Sequence, residues 1–303
     1  MDKNALIEGI NALKKEKNAI ILAHNYQNPE IQDIADFVGD SLELAKISEK
    51  IKEEVIVLCG VFFMAETSHM LAPDKQVLLP VLTADCPMAR MITKEDVLKL
   101  KEVHPKAAVV TYVNSTADVK AVSDICCTSS NAMKVIQSLK EEEIIFIPDR
   151  NLGRNMARFI AKKFIYHEGF CPTHEEISEE EMRTLKDSLP HQVEIIMHPE
   201  VNPKIAAYAD KLLSTGGILK YAQISENRDF IIGTEMGMHY RLEKIAPQNR
   251  YFNIGRDMVC PNMKKIHLQD VYDALSKGTH LISLPADVRE KAKAAIDRML
   301  DVS

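Results

Sequence analysis

Cys86, Cys171 and Cys260 are each followed by proline, and each holds the same place in a repeat that runs the length of the chain. When AHNYQ, TYVNS and MHPEV are set in register, His24, Tyr112 and His198 coincide. A hydroxyl side chain follows each by seventeen residues (Ser41, Ser129, Thr215), and an aspartate follows by twelve (Asp36, Asp124, Asp210). Repetition at a long fixed period signals repeated architecture. Three cysteines in phase imply three copies of one α/β unit, each directing a thiolate at a shared centre.

A free cysteine is often only a small buried hydrophobe. That reading suits Cys59, Cys126 and Cys127, which sit in apolar strand text without counterparts in the other repeats, with Cys127 the nearest rival ligand. Three thiolates are soft ligands and select an iron–sulfur cluster, zinc or copper(I). Structural zinc favours a closed fourth position and close-set cysteine pairs, and the chain has no CxxC. Electron-transfer clusters are usually held by four cysteines. Three around a cubane leave one iron open to act as a Lewis acid.

The remaining groups suit proton transfer and anion binding. His24 and Tyr26, Tyr112 and Asn114, and His198 and Glu200 form pairs spaced i, i+2, which leave one face of an extended strand. Histidine, tyrosine and glutamate around one pocket are what proton movement at carbon and oxygen requires. Ser41, Ser129 and Thr215 read as strand–helix junction residues, either plain N-caps or partners of helix N-termini that hold carboxylate or phosphate. His174, three residues past Cys171, is a further ligand or substrate contact. His69, His104, His167, His191, His239 and His267 read as surface or structural. The absence of GxGxxG, GxxxxGK[ST] and GxSxG argues against nicotinamide, nucleotide-hydrolysing and α/β-hydrolase chemistry.

The elements that position these groups follow from the hydrophobic pattern. In the first repeat NAIILAHN, VIVLCGV and QVLLPVL read as strands, with another ending near Gly39. Residues 30–36, SLELAKISEKI and FMAETSHML read as helices, and TKEDVLKLKEVH as a helix capped by Thr93. The second repeat gives strands in AAVVTYVN, DICC, EIIFIPD and FIYHEGFC, and the third in VEIIMHPE, DKLLS, DFIIGTE and RYFNIGRDMVC, with helices between. Short apolar strands alternating with helices predict parallel sheets with helices on both faces. Right-handed crossovers gather the strand-to-helix turns on one edge, where ligands bind. The fold class is therefore α/β: three αβα units over 1–104, 105–190 and 191–303, the last carrying C-terminal helices, with a polar pocket at their junction.

At 46% hydrophobic and 27% charged residues, the chain reads as globular rather than disordered. A net charge of −6 without a basic stripe argues against nucleic acid. The amphipathic N-terminus does not read as a signal peptide, and the longest apolar run, residues 55–65, falls short of the roughly 20 residues a membrane helix needs. Six cysteines suit a reducing, cytoplasmic setting.

IILAHNYQ, DIADFVGDS, GVFFMAET, YVNST, CTSSNA, PDRNLG, HPE, STGG and GTEMGM, with the Cys-Pro sites CPM, CPTH and CPNMK, resemble the quinolinate synthase family from end to end. The resemblance implies three αβα domains about a pseudo-threefold axis and a [4Fe–4S] cluster on Cys86, Cys171 and Cys260. It implies condensation of iminoaspartate with dihydroxyacetone phosphate to quinolinate, with release of phosphate and water, in de novo NAD biosynthesis. A transient supplier of iminoaspartate, an aspartate oxidase or dehydrogenase, goes with it. Substrate-binding positions match His24, Ser41, Tyr112, Asn114, Ser129, His198, Glu200 and Thr215, and Tyr26 matches a catalytic position. Two departures stand out: Phe62 follows Gly-Val where members carry a polar residue, and Cys260 stands alone where some relatives carry CxxCxxC. The rival readings are a zinc lyase or hydrolase on the same thiolates, a non-enzymatic iron–sulfur sensor, and a repeat protein with inert cysteines. Iron and sulfide analysis after anaerobic purification separates them. A full cluster, lost in Cys86→Ala, Cys171→Ala and Cys260→Ala but kept in Cys127→Ala, is the expected result.

Overall fold

A computed structural model of the chain describes residues 1–188 and 193–303; His191 and the boundary expected at 190/191 lie outside the described residues. Three four-stranded sheets form, all of whose pairings are parallel. The first contains β1 (Ala19–His24), β2 (Phe37–Gly39), β3 (Val55–Cys59) and β4 (Gln76–Leu78) in the order β2-β1-β3-β4. The second repeats that order with β5 (Ala108–Tyr112), β6 (Ile125–Cys127), β7 (Glu143–Ile147) and β8 (Lys163–Tyr166). The third uses β9 (Glu194–Met197), β10 (Lys211–Leu212), β11 (Asp229–Gly233) and β12 (Arg250–Asn253).

The central strands β1, β3 and β5 are buried along their whole length, as near-continuous apolar runs covered by helices on both faces should be. The strand expected over residues 76–82 stops at Leu78. The Leu79 N–H goes to the His280 carbonyl instead, and Pro80 has no N–H to continue a ladder.

The aspartates in phase are architectural. Asp36 Oδ2 accepts the Ile21 N–H at 2.8 Å, and the Asp36 N–H returns to the Ile21 carbonyl at 2.9 Å. Asp124 makes the same pair with Val109 (2.8 and 3.1 Å), and Asp210 with Ile195 (2.8 and 2.8 Å). Each sits one residue before its edge strand or close to it, so its carboxylate satisfies a buried strand N–H that the short edge strand cannot reach.

Two helices that the hydrophobic pattern did not announce, Pro172–Glu175 and Glu179–Ser188, follow Cys171. The C-terminal helices follow the third unit in sequence but pack elsewhere. Leu268–Lys277 lies against the N-terminal helix Lys3–Glu16 and β3, and Ala286–Val302 lies against β6 and helix Phe62–Leu71. Leu281 bridges Leu78 at the edge of the first sheet.

Removing one of the aspartates leaves a buried N–H without its partner, a loss of about 1–3 kcal/mol. Asp124→Ala and Asp210→Ala should each lower the unfolding free energy measured by urea titration by that amount, while turnover per folded molecule stays at the parent value.

Candidate active site

In a sheet ordered β2-β1-β3-β4 the connections diverge between the first and third strands, and a crevice opens there at the carboxyl edge. His24 ends β1, Tyr112 ends β5 and His198 follows β9. In the third unit the His198 N–H bonds to the Gly233 carbonyl, which brings Thr234 and Glu235, just past β11, beside His198. The three crevices face one another around one shared cavity. His24, Tyr26, Ser41, Tyr112, Asn114, Ser129, His174, His198, Glu200, Thr215 and the three Cys-Pro cysteines all line it. Cys59, Cys126 and Cys127 are buried away from it, in β3 and β6. Phe62 lies outside the lining under the Arg90 guanidinium, 5.5 Å from its ring centre, and Phe63 forms the wall instead.

The proline after each cysteine has a structural reason. It has no N–H and its fixed φ starts a turn, so the chain folds back on the cysteine's own carbonyl. The Ala89 N–H bonds to the Cys86 carbonyl at 3.0 Å, the His174 N–H to the Cys171 carbonyl at 3.1 Å, and the Lys264 N–H to the Cys260 carbonyl at 3.3 Å. As bare thiols the three are held protonated: burial pushes Cys86 up to about 12 and raises Cys171 and Cys260. Cys86 is close enough to feel the charge of both Cys260 and Cys171. Three sulfurs free of any disulfide and lining one cavity are a soft donor set that fits an iron–sulfur group.

At the centre lies Glu200, 4% exposed. Its Oε1 accepts the Tyr112 hydroxyl at 2.6 Å, and its Oε2 lies 2.9 Å from His174 Nδ1. Burial alone would raise its pKa, but His198, His174 and the Tyr112 hydroxyl hold it below the usual carboxylate range. His174 Nε2 is 2.9 Å from Thr234 Oγ1, which is 2.6 Å from the Tyr26 hydroxyl. Nδ1 faces both Glu200 Oε2 and Cys171 Sγ, the latter at 3.2 Å; with the ring proton on that nitrogen, Nε2 accepts from Thr234, and Thr234 in turn accepts from Tyr26. A continuous chain Tyr26–Thr234–His174–Glu200 results. Cys171, His174 and Glu200 also offer ligand atoms within 4.8 Å of one another, a group that a metal ion could bridge; the hydrogen bonds already account for their closeness.

Burial lowers His24 and His198 to about 4, so both are neutral near pH 7. His24 Nδ1 accepts the Tyr26 N–H at 3.2 Å, which puts the ring proton on Nε2. His198 Nε2 meets Ser129 Oγ at 3.0 Å, and Asn25 Nδ2 donates to Thr215 Oγ1 at 3.0 Å.

Ser41 and Thr215 open their helices, Ser41–Ser48 and Thr215–Ile224, but do not cap them: Asp40 and Ser214 accept the N–H groups. In the second unit Asn131 caps the helix Ala132–Ser138 by position, two residues past Ser129. The expected cap role of Ser41, Ser129 and Thr215 thus passes to their neighbours, and the three hydroxyls stay available to the cavity. Asp40 Oδ2 accepts from Ser130 Oγ at 2.6 Å, and Ser130 meets Ser214 at 2.8 Å, so residues of all three units join at one rim. Asp40, Thr234 and Glu235 were not singled out by sequence reasoning. The GTEMGM run at the end of β11 was the available signal, since the third strand of each unit ends at the crevice.

The lowered imidazole values set a direction for stability. An unfolded histidine titrates near 6.5, whereas His24 and His198 titrate near 4 when folded. Unfolding therefore takes up protons between those values, and stability fully present above pH 6.5 drains as pH falls toward 4, at about 1.4 kcal/mol per pH unit for each ring. Urea midpoints measured across that window should fall less steeply in His198→Asn than in the parent.

Comparison with known proteins completes the picture. A family model described as quinolinate synthetase A protein (NadA) matches residues 8–301. The chain is 51% identical over 301 residues to a quinolinate synthase of Methanoregula boonei, covering 99% of each chain. It is 50% identical over 293 residues to one of Geotalea uraniireducens, covering 97% of this chain and 96% of that one. With a quinolinate synthase of Methanosarcina barkeri it shares 47% identity over 302 residues, 100% of this chain and 99% of the relative.

Proposed function

The chain belongs to the quinolinate synthase family, and from that premise we propose that it condenses iminoaspartate with dihydroxyacetone phosphate to quinolinate, releasing phosphate and water. The observation that carries this reading is the meeting, in one cavity, of three Cys-Pro sulfurs with the Tyr26–Thr234–His174–Glu200 chain. Cys86, Cys171 and Cys260 would hold a [4Fe–4S] cluster, which when bound supplies a Lewis acid through the iron that no cysteine ligates.

The chain's own residues bind, orient and move protons. No lysine or arginine lines the cavity among the described residues, although both substrates are anionic. Their carboxylate and phosphate groups would be held by the N–H groups opening helices Ser41–Ser48 and Thr215–Ile224, by the hydroxyls of Ser41, Ser129 and Thr215, by Asn114, and by the neutral Nε2–H of His24. Neutral donors hold anions without locking them, which leaves the reactants free to change shape as the ring closes. Tyr26 would give or take the proton at the reacting carbon or oxygen, passing it through Thr234 and His174 to Glu200. Tyr112 fixes the other oxygen of that carboxylate, and His198 stands beside it as a second proton carrier. Holding both reactants in one pocket converts an encounter into an intramolecular step.

The reading places the protein in de novo NAD biosynthesis and in the cytoplasm, where unpaired cysteines stay reduced. An aspartate oxidase or dehydrogenase would supply the imine. Glu200→Gln removes the terminal proton acceptor but keeps its shape. Quinolinate formation by the anaerobically prepared holoenzyme should fall by about 10²- to 10⁴-fold, with iron and sulfide content unchanged. Turnover close to the parent's would remove Glu200 from this role.

A further inference from the structure

The turn of residues 24–28 carries two groups of the site, His24 and Tyr26, yet its anchors come from the far end of the chain. Lys264, four residues past Cys260, donates Nζ to the Tyr26 carbonyl at 2.5 Å and to the Glu235 carboxylate at 3.0 Å. Glu235 is wholly buried. Its two oxygens accept the Gly237 N–H at 2.6 Å and the Cys260 N–H at 3.2 Å. Asn28 Nδ2 closes the same turn on the carbonyls of Lys264 (3.2 Å) and Ile266 (3.0 Å). Gly237 runs so close that a Cβ there would lie 2.7 Å from the Tyr26 carbonyl carbon, so no side chain fits between the two backbones.

A buried ion pair must satisfy its remaining donors and acceptors, and here they go to the backbone of the site itself. Here the ammonium grips the main chain of Tyr26, and the carboxylate grips the main chain of Cys260. Lys264 itself does not line the cavity. The pair ties three stretches distant in sequence: the β1 turn, the end of β11 and the Cys260 loop. We infer that Lys264 and Glu235 are positioning residues which fix the Tyr26 turn to the Cys260 loop, so that the phenol's alignment with Thr234 is set from the thiol side of the pocket. The inference rests on the proposed role of Tyr26. It adds that the acid–base chain and the cysteine loop are held in one frame and move together.

The test is the double variant Glu235→Gln/Lys264→Met in the anaerobically prepared holoenzyme, since removing both charges leaves neither buried without a partner. Three quantities are read: iron and sulfide content, kcat and KM separately, and amide hydrogen exchange over residues 25–27. Expected are retained iron and sulfide, a kcat lowered about 10- to 100-fold by misplacement of the phenol with KM little changed, and exchange over 25–27 faster by about tenfold while residues 112–114 exchange as in the parent. Parent-like kcat, or unchanged exchange over 25–27, overturns the inference. So does loss of iron with exchange over 25–27 unchanged, because the pair would then serve the Cys260 loop alone. Lys264→Arg, which keeps a donor and the charge, should recover part of the kcat loss. A parent enzyme that makes no quinolinate refutes the functional reading, and the exchange measurement then decides the positioning role by itself.

Discussion

A parallel strand hands its next residue to one edge of its sheet and never to the other. In this chain three sheets turn that edge toward a common space, and every group with reactive chemistry that the repeat marks is found there. The convergence explains why the pocket can be rich in hydroxyls, imidazoles and thiols while β1, β3 and β5 behind it are buried along their length. It also sets the electrostatics. The pocket lies between three sheets whose central strands are buried, so groups entering it lose water. Burial then keeps His24 and His198 neutral and raises the cysteine thiols. Glu200 stays ionised because donors surround it.

The phase of the repeat was readable from residues alone, and its meaning was not. Aspartates and cysteines recur with equal regularity, yet Asp36, Asp124 and Asp210 close backbone ladders while Cys86, Cys171 and Cys260 line the cavity. What separates them is position along the strand. The aspartates bond to residues in the middle or at the start of the first strand, and the cysteines follow the last strand's carboxyl end. Hydroxyls needed a finer distinction still, because the residue before Ser41 or Thr215 takes the cap and frees them. Thr234 escaped notice since it has no repeated partner: the corresponding strand ends carry Gly60 and Pro148 instead. Asymmetry within the repeat is where the third unit departs to build its proton chain, and a search for symmetry passes over it.

Two kinds of interaction divide the labour around the pocket. Hydroxyls, imidazoles and the carboxyl groups of Asp40, Glu200 and Glu235 face the space itself, and the cation Lys264 is kept one layer behind it, paired with Glu235. A cation within the lining would bind an anionic reactant tightly at every stage, favouring no stage over another. Placed behind the wall, the same charge stiffens the frame without competing for the ligand.

The last helix bears on how the molecule comes into being. Ala292, Ala295, Ile296 and Met299 of Ala286–Val302 belong to the core that contains β1, β3 and β6, and Ser303 takes a hydrogen bond from Asn131 in the second unit. Synthesis runs from the first unit to the third, but burial of the first two is finished only by a helix that follows the third. A nascent chain therefore leaves the ribosome tunnel with its earliest cores still open on one side. The pocket gains its third wall, and its third sulfur, only once the third unit has been made.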